Sequence, residues 1–157
     1  MSPAKNVGAP PELERAVKAQ TAPEEMARIH FFHGVYDSPA MIFGPMSNKQ
    51  PADLIANGTV QGGINKGQVL VIDLDPQEYD FSWGERVGDG HGLVSNKLTI
   101  RLMPGDLIYL RADIRPSMGA AFGIVGALAD PPRAILVRCA PEECASQIGA
   151  LQIVVAN

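Results

Sequence analysis

Histidine, cysteine and tryptophan are scarce in this chain: its 157 residues contain three, two and one of them. A site built from metal-ligating or nucleophilic side chains therefore has few members to draw on. Clustered lysine or arginine is missing as well, and the formal net charge is -4. The electrostatic footprint that neutralises phosphates is absent, so no nucleic-acid partner is expected. No apolar run reaches the roughly 18 residues a membrane span needs. The nearest, "MGAAFGIVGALA" at 118–129, is too short, so no transmembrane segment is expected and only peripheral membrane contact stays open. The N-terminal "MSPAKNVGAPPELERAVKAQ" has no apolar export core and no cysteine for lipid attachment. No export signal is visible in it, as for a cytosolic chain or for one processed or trimmed. No G-x-S-x-G elbow occurs, and the glycines of "GERVGDGHG" do not follow the dinucleotide fingerprint.

What is present points to an all-β domain. The 16 glycines and 13 prolines punctuate short apolar runs, as expected of many strands joined by tight turns. A chain of this length supports one packed core. Residues 1–25, with the helix-compatible "PELERAVKAQ", read as an N-terminal extension or linker, and residues 26–157 as a single domain. Within it the runs "ARIHFFH", "AMIFG", "ADLIA", "QVLVIDL", "EYDFSW", "KLTIRL", "DLIYLRADI", "AILVR" and "LQIVVA" give about eight or nine strands.

The dipeptides "NG" at 57–58 and "PG" at 104–105 are strong turn signals. The "MPGD" turn predicts a hairpin over 97–114, whose first arm buries Leu98, Ile100 and Leu102 against exposed Lys97, Thr99 and Arg101. "VLVIDLDPQEYDFSW" predicts a second hairpin that sets Tyr79, Phe81 and Trp83 on one face as a core stripe. "APEECASQIG" predicts one short helix, with Pro141 at its first position, Glu142 and Glu143 in its first turn and Gly149 at its end. The two cysteines, Cys139 and Cys144, fall at the preceding strand end and in that first turn. In a reducing compartment they are ordinary small apolar residues. In an oxidising one they are a candidate disulfide, because their Cα atoms come within its reach.

In order and spacing, "ARIHFFH", "VLVIDLDPQEYDFS", "NKLTIRLMPGDLIYLRADI" and "ALADPPRAILVRCAPEECASQIG" resemble the bacterial family known only as domain of unknown function 2846. The resemblance covers roughly residues 27–149. It implies an envelope protein, often a lipoprotein, of the periplasm or outer membrane, and it carries no catalytic residues over. Gln77 and His33 stand where that family usually has a turn glycine and an arginine.

Candidate sites are few. His30 and His33 are three apart on a strand, so their imidazoles point to opposite faces and do not share an ion. The remaining histidine, His91, lies in the glycine-rich stretch. "LMPGDLIYLRADIRP" resembles the second motif of the cupin family, but the metal-binding histidine that follows there is replaced here by "RPSMGAAFG". No metal, no cofactor and no catalytic set is therefore expected. The stretch 84–96 reads as a mobile surface loop with Glu85, Arg86 and Asp89 available to a partner. The small-residue segment 117–129 is the candidate partner interface through Gly119, Phe122, Gly123, Ile124, Val125 and Gly126.

The resulting expectation is an antiparallel β-sandwich of immunoglobulin or transthyretin type with one short C-terminal helix. Its expected function is that of a non-enzymatic cell-envelope module acting through contacts with other envelope proteins or with itself. The alternative is a cupin-like or small-ligand-binding β-barrel protein or enzyme that uses the loops at 30–37 and 84–96.

Overall fold

A computed structural model describes residues 3–34, 50–115, 123–125 and 131–157. The expected strand "AMIFG", the turn at Tyr36 and Asp37, and the interface residues Gly119, Phe122 and Gly126 lie outside these.

The chain runs β1 (Asn6–Gly8), α1 (Pro11–Lys18), β2 (Ala27–His33), β3 (Ala52–Ala56), β4 (Thr59–Ile64), β5 (Gln68–Leu74) and β6 (Glu78–Val87). It continues with β7 (Gly90–Val94), β8 (Leu98–Arg101), β9 (Leu107–Arg115), β10 (Arg133–Cys139), α2 (Pro141–Ile148) and β11 (Gln152–Ala156). Two sheets form, one of six strands in the order β1-β11-β5-β2-β9-β10 and one of five in the order β4-β3-β6-β7, with β8 also paired to β6. The five-stranded sheet is antiparallel throughout. The six-stranded sheet is mixed, because β2 lies parallel to β9 and β5 parallel to β11.

Alternation along each strand assigns the layers. Ile29 and Phe31 of β2 face the other sheet and meet Leu54, Phe81 and Trp83 in the main core. Phe32, on the opposite face of β2, joins Val69, Val71 and Tyr109 in a second core closed by Val17 of α1 and Ile148 of α2. The central strands β2, β5 and β9 are thus apolar on both faces, which explains their nearly unbroken hydrophobic runs. The expected stripe of Tyr79, Phe81 and Trp83 is buried in the main core.

Both long hairpins expected from the sequence are corrected. β5 sits in the six-stranded sheet and β6 in the five-stranded one, and β8 and β9 are divided in the same way. The "DPQE" and "MPGD" turns therefore carry the chain across the core from one sheet to the other. Hydrophobic alternation fixes which face of a strand is buried and leaves its partner undetermined. Contacts from outside each turn hold the crossings: Leu102 N donates to Gln77 O at 2.9 Å and Gly105 N to Met26 O at 2.9 Å. The tight hairpins are β6–β7, turning at Gly88 and Asp89, and β3–β4, where Asn57 and Gly58 take φ of 50° and 79°, the left-handed pair of a type I′ turn.

Two further segments take up more structure than expected. In the N-terminal stretch read as an extension, β1 pairs antiparallel with β11, α1 buries Val17, and Asn6 donates to Gly63 O at 3.2 Å and to Gln68 Oε1 at 2.8 Å. Its apolar content is small, but the open edge of β11 supplies the backbone partners. The stretch read as a loop, 84–96, is the end of β6 and the whole of β7, with Arg86 paired to His91 and Val87 to Gly90. The helix at 141–148 forms where its caps place it, with Pro141 leading and Gly149 as its C-cap.

Candidate functional site: a polar cleft on the five-stranded sheet

Asp53 is the one charged residue of β3, "ADLIA". Its neighbours Ala52 and Leu54 enter the main core, so alternation turns Asp53 to the outer face. In register beside it stand two glycines, Gly63 of β4 and Gly84 of β6. The missing side chains leave room for longer neighbours to fold over the strands. A Cβ on Gly63 would lie 3.0 Å from Arg86 Nη2 and against Asp53 Oδ1, and one on Gly84 would lie 2.8 Å from the His91 ring.

Through these gaps Arg86 and His91 converge on the Asp53 carboxylate. Arg86 donates from Nε to Oδ2 at 3.1 Å and from Nη2 to Oδ1. His91 Nε2 lies 2.9 Å from Oδ2, and with an ionised carboxylate it is the donor. The remaining Arg86 arm, Nη1, donates to Pro3 O at 2.9 Å, which fastens the N-terminal segment to this face. The cluster lines a cleft of about 580 Å³ together with Lys5 and Asp89. A neutral His91 that donates from Nε2 to the carboxylate has Nδ1 as a proton acceptor, the arrangement of a general base. No hydroxyl or thiol among the described residues is bonded to it. Ser95 Oγ, the nearest in sequence, accepts from Trp83 N and donates to Asn96 O.

Asp53→Asn is expected to lower unfolding stability by about 2 kcal/mol in urea titration, because it leaves the Arg86 guanidinium without its counter-charge. The value lies below that of a fully buried pair because the Arg86 and His91 side chains are 19% and 25% exposed. An unchanged urea midpoint would show the cluster to be energetically idle.

The other histidines stay apart from this cleft. As alternation requires, His30 and His33 leave β2 on opposite faces. His30 is fully buried, stacks on Tyr109 with ring centroids 4.3 Å apart, and has Nδ1 3.2 Å from Ile108 O. His33 turns toward the main core and meets the Trp83 ring edge-on, with centroids 6.5 Å apart. Burial lowers the pKa of each to about 4. The three histidines thus occupy three different faces of the two sheets, and no cluster of three or more metal-ligating side chains occurs among the described residues. His33 and His91, from the two stretches offered as a joint ligand site, lie on opposite sides of the five-stranded sheet, and residues 35–37 of the first stretch lie outside the described residues.

Cys139 and Cys144 are joined as a disulfide with Cα atoms 6.1 Å apart, inside the second core beside Tyr109 and Ile148. Of the expected interface, Gly123, Ile124 and Val125 are described and exposed, the last two at 80% each. The Asp53–Arg86–His91 cluster escaped sequence reasoning because its members are 33 and 38 residues apart. The available signals were a single aspartate in an apolar strand and the glycines that flank it in register. No family model, no curated protein and no solved structure matches the chain.

Proposed function

We propose that the protein is a non-enzymatic module of the bacterial cell envelope that works through protein–protein contacts, in line with its resemblance to domain of unknown function 2846. The observation that carries this reading is the Cys139–Cys144 disulfide, since such bonds persist in exported proteins and are rare in a reducing cytoplasm. All three arms of the Asp53–Arg86–Pro3 link are engaged within the chain, so the cluster works as a clasp on the N-terminal segment. Ile124 and Val125 offer apolar surface for a partner.

The reading is tested by site-specific photo-crosslinking from position 125 in cells that make the protein. Ile124→Glu should remove the crosslinked species while leaving the melting temperature unchanged, because its side chain is 80% exposed. Crosslinks that persist in the variant, or none with the unsubstituted protein, would count against it. The cleft favours a second reading, small-ligand binding at His91 Nδ1. That reading would be supported by a thermal shift with a small ligand that Asp53→Asn abolishes.

A further inference from the structure

The segment before β2 is fastened to the edge of the six-stranded sheet by directional bonds. β1 pairs with β11, Ala4 N donates to Asn65 Oδ1 at 2.9 Å, and Asn65 Nδ2 donates back to Ala4 O at 3.2 Å. Arg86 Nη1 holds Pro3 O. Apolar attachment is slight by comparison: Val17 is the one buried residue of α1, and Val7 of β1 is 46% exposed. A segment held in this way fits the same edge equally well when it comes from another copy of the chain.

The hinge of this segment is short and strained. α1 ends with Thr21 N donating to Ala16 O at 3.0 Å and Gln20 N to Val17 O at 3.1 Å, a closing turn that sets one residue in the left-handed region, where glycine is the usual occupant. Here that residue is Gln20, at φ 53°. Just beyond it, Arg28 Nη1 fixes Thr21 O at 2.9 Å, so Ala19 and Gln20 alone link the helix to the body. Ala22 precedes Pro23 and is thereby biased to extended backbone. Short hinges under strain favour exchange of the element they carry.

We infer that two copies of the chain exchange residues 3–18, each laying β1 on the other's β11 and α1 on its second core, with Gln20 as the pivot that leaves the left-handed region. The bonds of the closed chain are kept and now run between copies, so the two forms differ in the hinge and in the entropy of association. Pro3 and Lys5 line the cleft that holds Asp53, Arg86 and His91. In the exchanged dimer each polar cleft is therefore completed by the other copy. The inference rests on the protein-contact reading above and names a second copy as its partner.

Val7→Cys and Val155→Cys replace directly paired residues of β1 and β11. The two single variants, differently tagged, are mixed at about 1 mM, where mass action favours the dimer, and treated with a short thiol crosslinker without reductant. In closed monomers the new thiols sit in separate molecules, whereas an exchanged dimer of one copy of each sets them side by side. Crosslinked pairs carrying both tags are expected in at least about tenfold excess over pairs carrying one. Gln20→Gly lifts the left-handed cost from the closed chain, so it should lower the dimerisation constant measured by sedimentation at least about tenfold and melt no lower than the parent. One-tag pairs as abundant as two-tag pairs, a chain that stays monomeric, or a dimerisation constant unmoved by Gln20→Gly would overturn the inference. If exchange is absent while Ile124→Glu still removes the crosslinks from position 125, the segment stays on its own chain and the protein-contact reading stands. If exchange is found and those crosslinks are missing, the second copy is the partner and the surface at 124–125 falls.

Discussion

Acidification from pH 7 to pH 4 is expected to lower unfolding stability by about 3 kcal/mol for each of His30 and His33. Both have folded pKa values lowered from 6.5 to about 4, chiefly by burial. The sign follows from linkage. In the unfolded chain these imidazoles take a proton near pH 6.5, whereas in the fold they resist it until about pH 4. The unfolded state therefore binds more protons in that window. Stability is complete above pH 6.5 and is lost as the pH falls toward 4. His30 is the cleaner test, since it stacks on Tyr109 and neither its Nε2 nor the Tyr109 hydroxyl has a hydrogen-bond partner among the described residues. His30→Phe should remove about half of the pH dependence measured by urea unfolding at several pH values. A flat profile in the parent, or a His30 titration midpoint above pH 6 by NMR, would contradict the assignment.

Trp83→Ala is expected to cost about 4 kcal/mol, in the range for deleting a buried aromatic. Trp83 is 1% exposed and among the largest fully buried side chains. It also joins the sheets directly, because its indole N–H on β6 donates to Ile135 O on β10 at 2.9 Å. Trp83→Phe separates the two contributions. It keeps most of the packing and leaves the Ile135 carbonyl without this partner, for an expected loss of about 2 kcal/mol. If the phenylalanine variant matched the alanine one, the hydrogen bond would dominate. If it matched the parent, the carbonyl would be served equally well by water.

The sequence reveals the faces of this fold better than its connections. Tyr79, Phe81 and Trp83 alternate plainly, and their burial follows from period two. The helix at 141–148 was legible because proline, acidic first turn and glycine all agree on its limits. The "DPQE" and "MPGD" turns misled because a tight turn between two alternating strands serves equally a hairpin and a crossing between sheets. Which one forms depends on contacts such as Gly105 N to Met26 O, made by residues far away in sequence. The same distance hid the candidate site. Asp53 looks like an isolated charge, and His91 like part of a flexible loop, until strand register sets Gly63 and Gly84 beside the carboxylate. The cysteine pair was legible as an option only, since spacing allows the bond and the compartment decides it.

The central claim, a contact module of an oxidising envelope compartment, is tested most directly by trapping thiols in the intact cells that make the protein. Cells are treated with a permeant alkylating reagent before lysis and fractionated, and the protein's intact mass is read before and after reduction. The account predicts protein in the envelope fraction with no alkyl group until reductant opens the Cys139–Cys144 bond, after which both cysteines are labelled. Protein found in the cytoplasmic fraction with both cysteines already alkylated would contradict it.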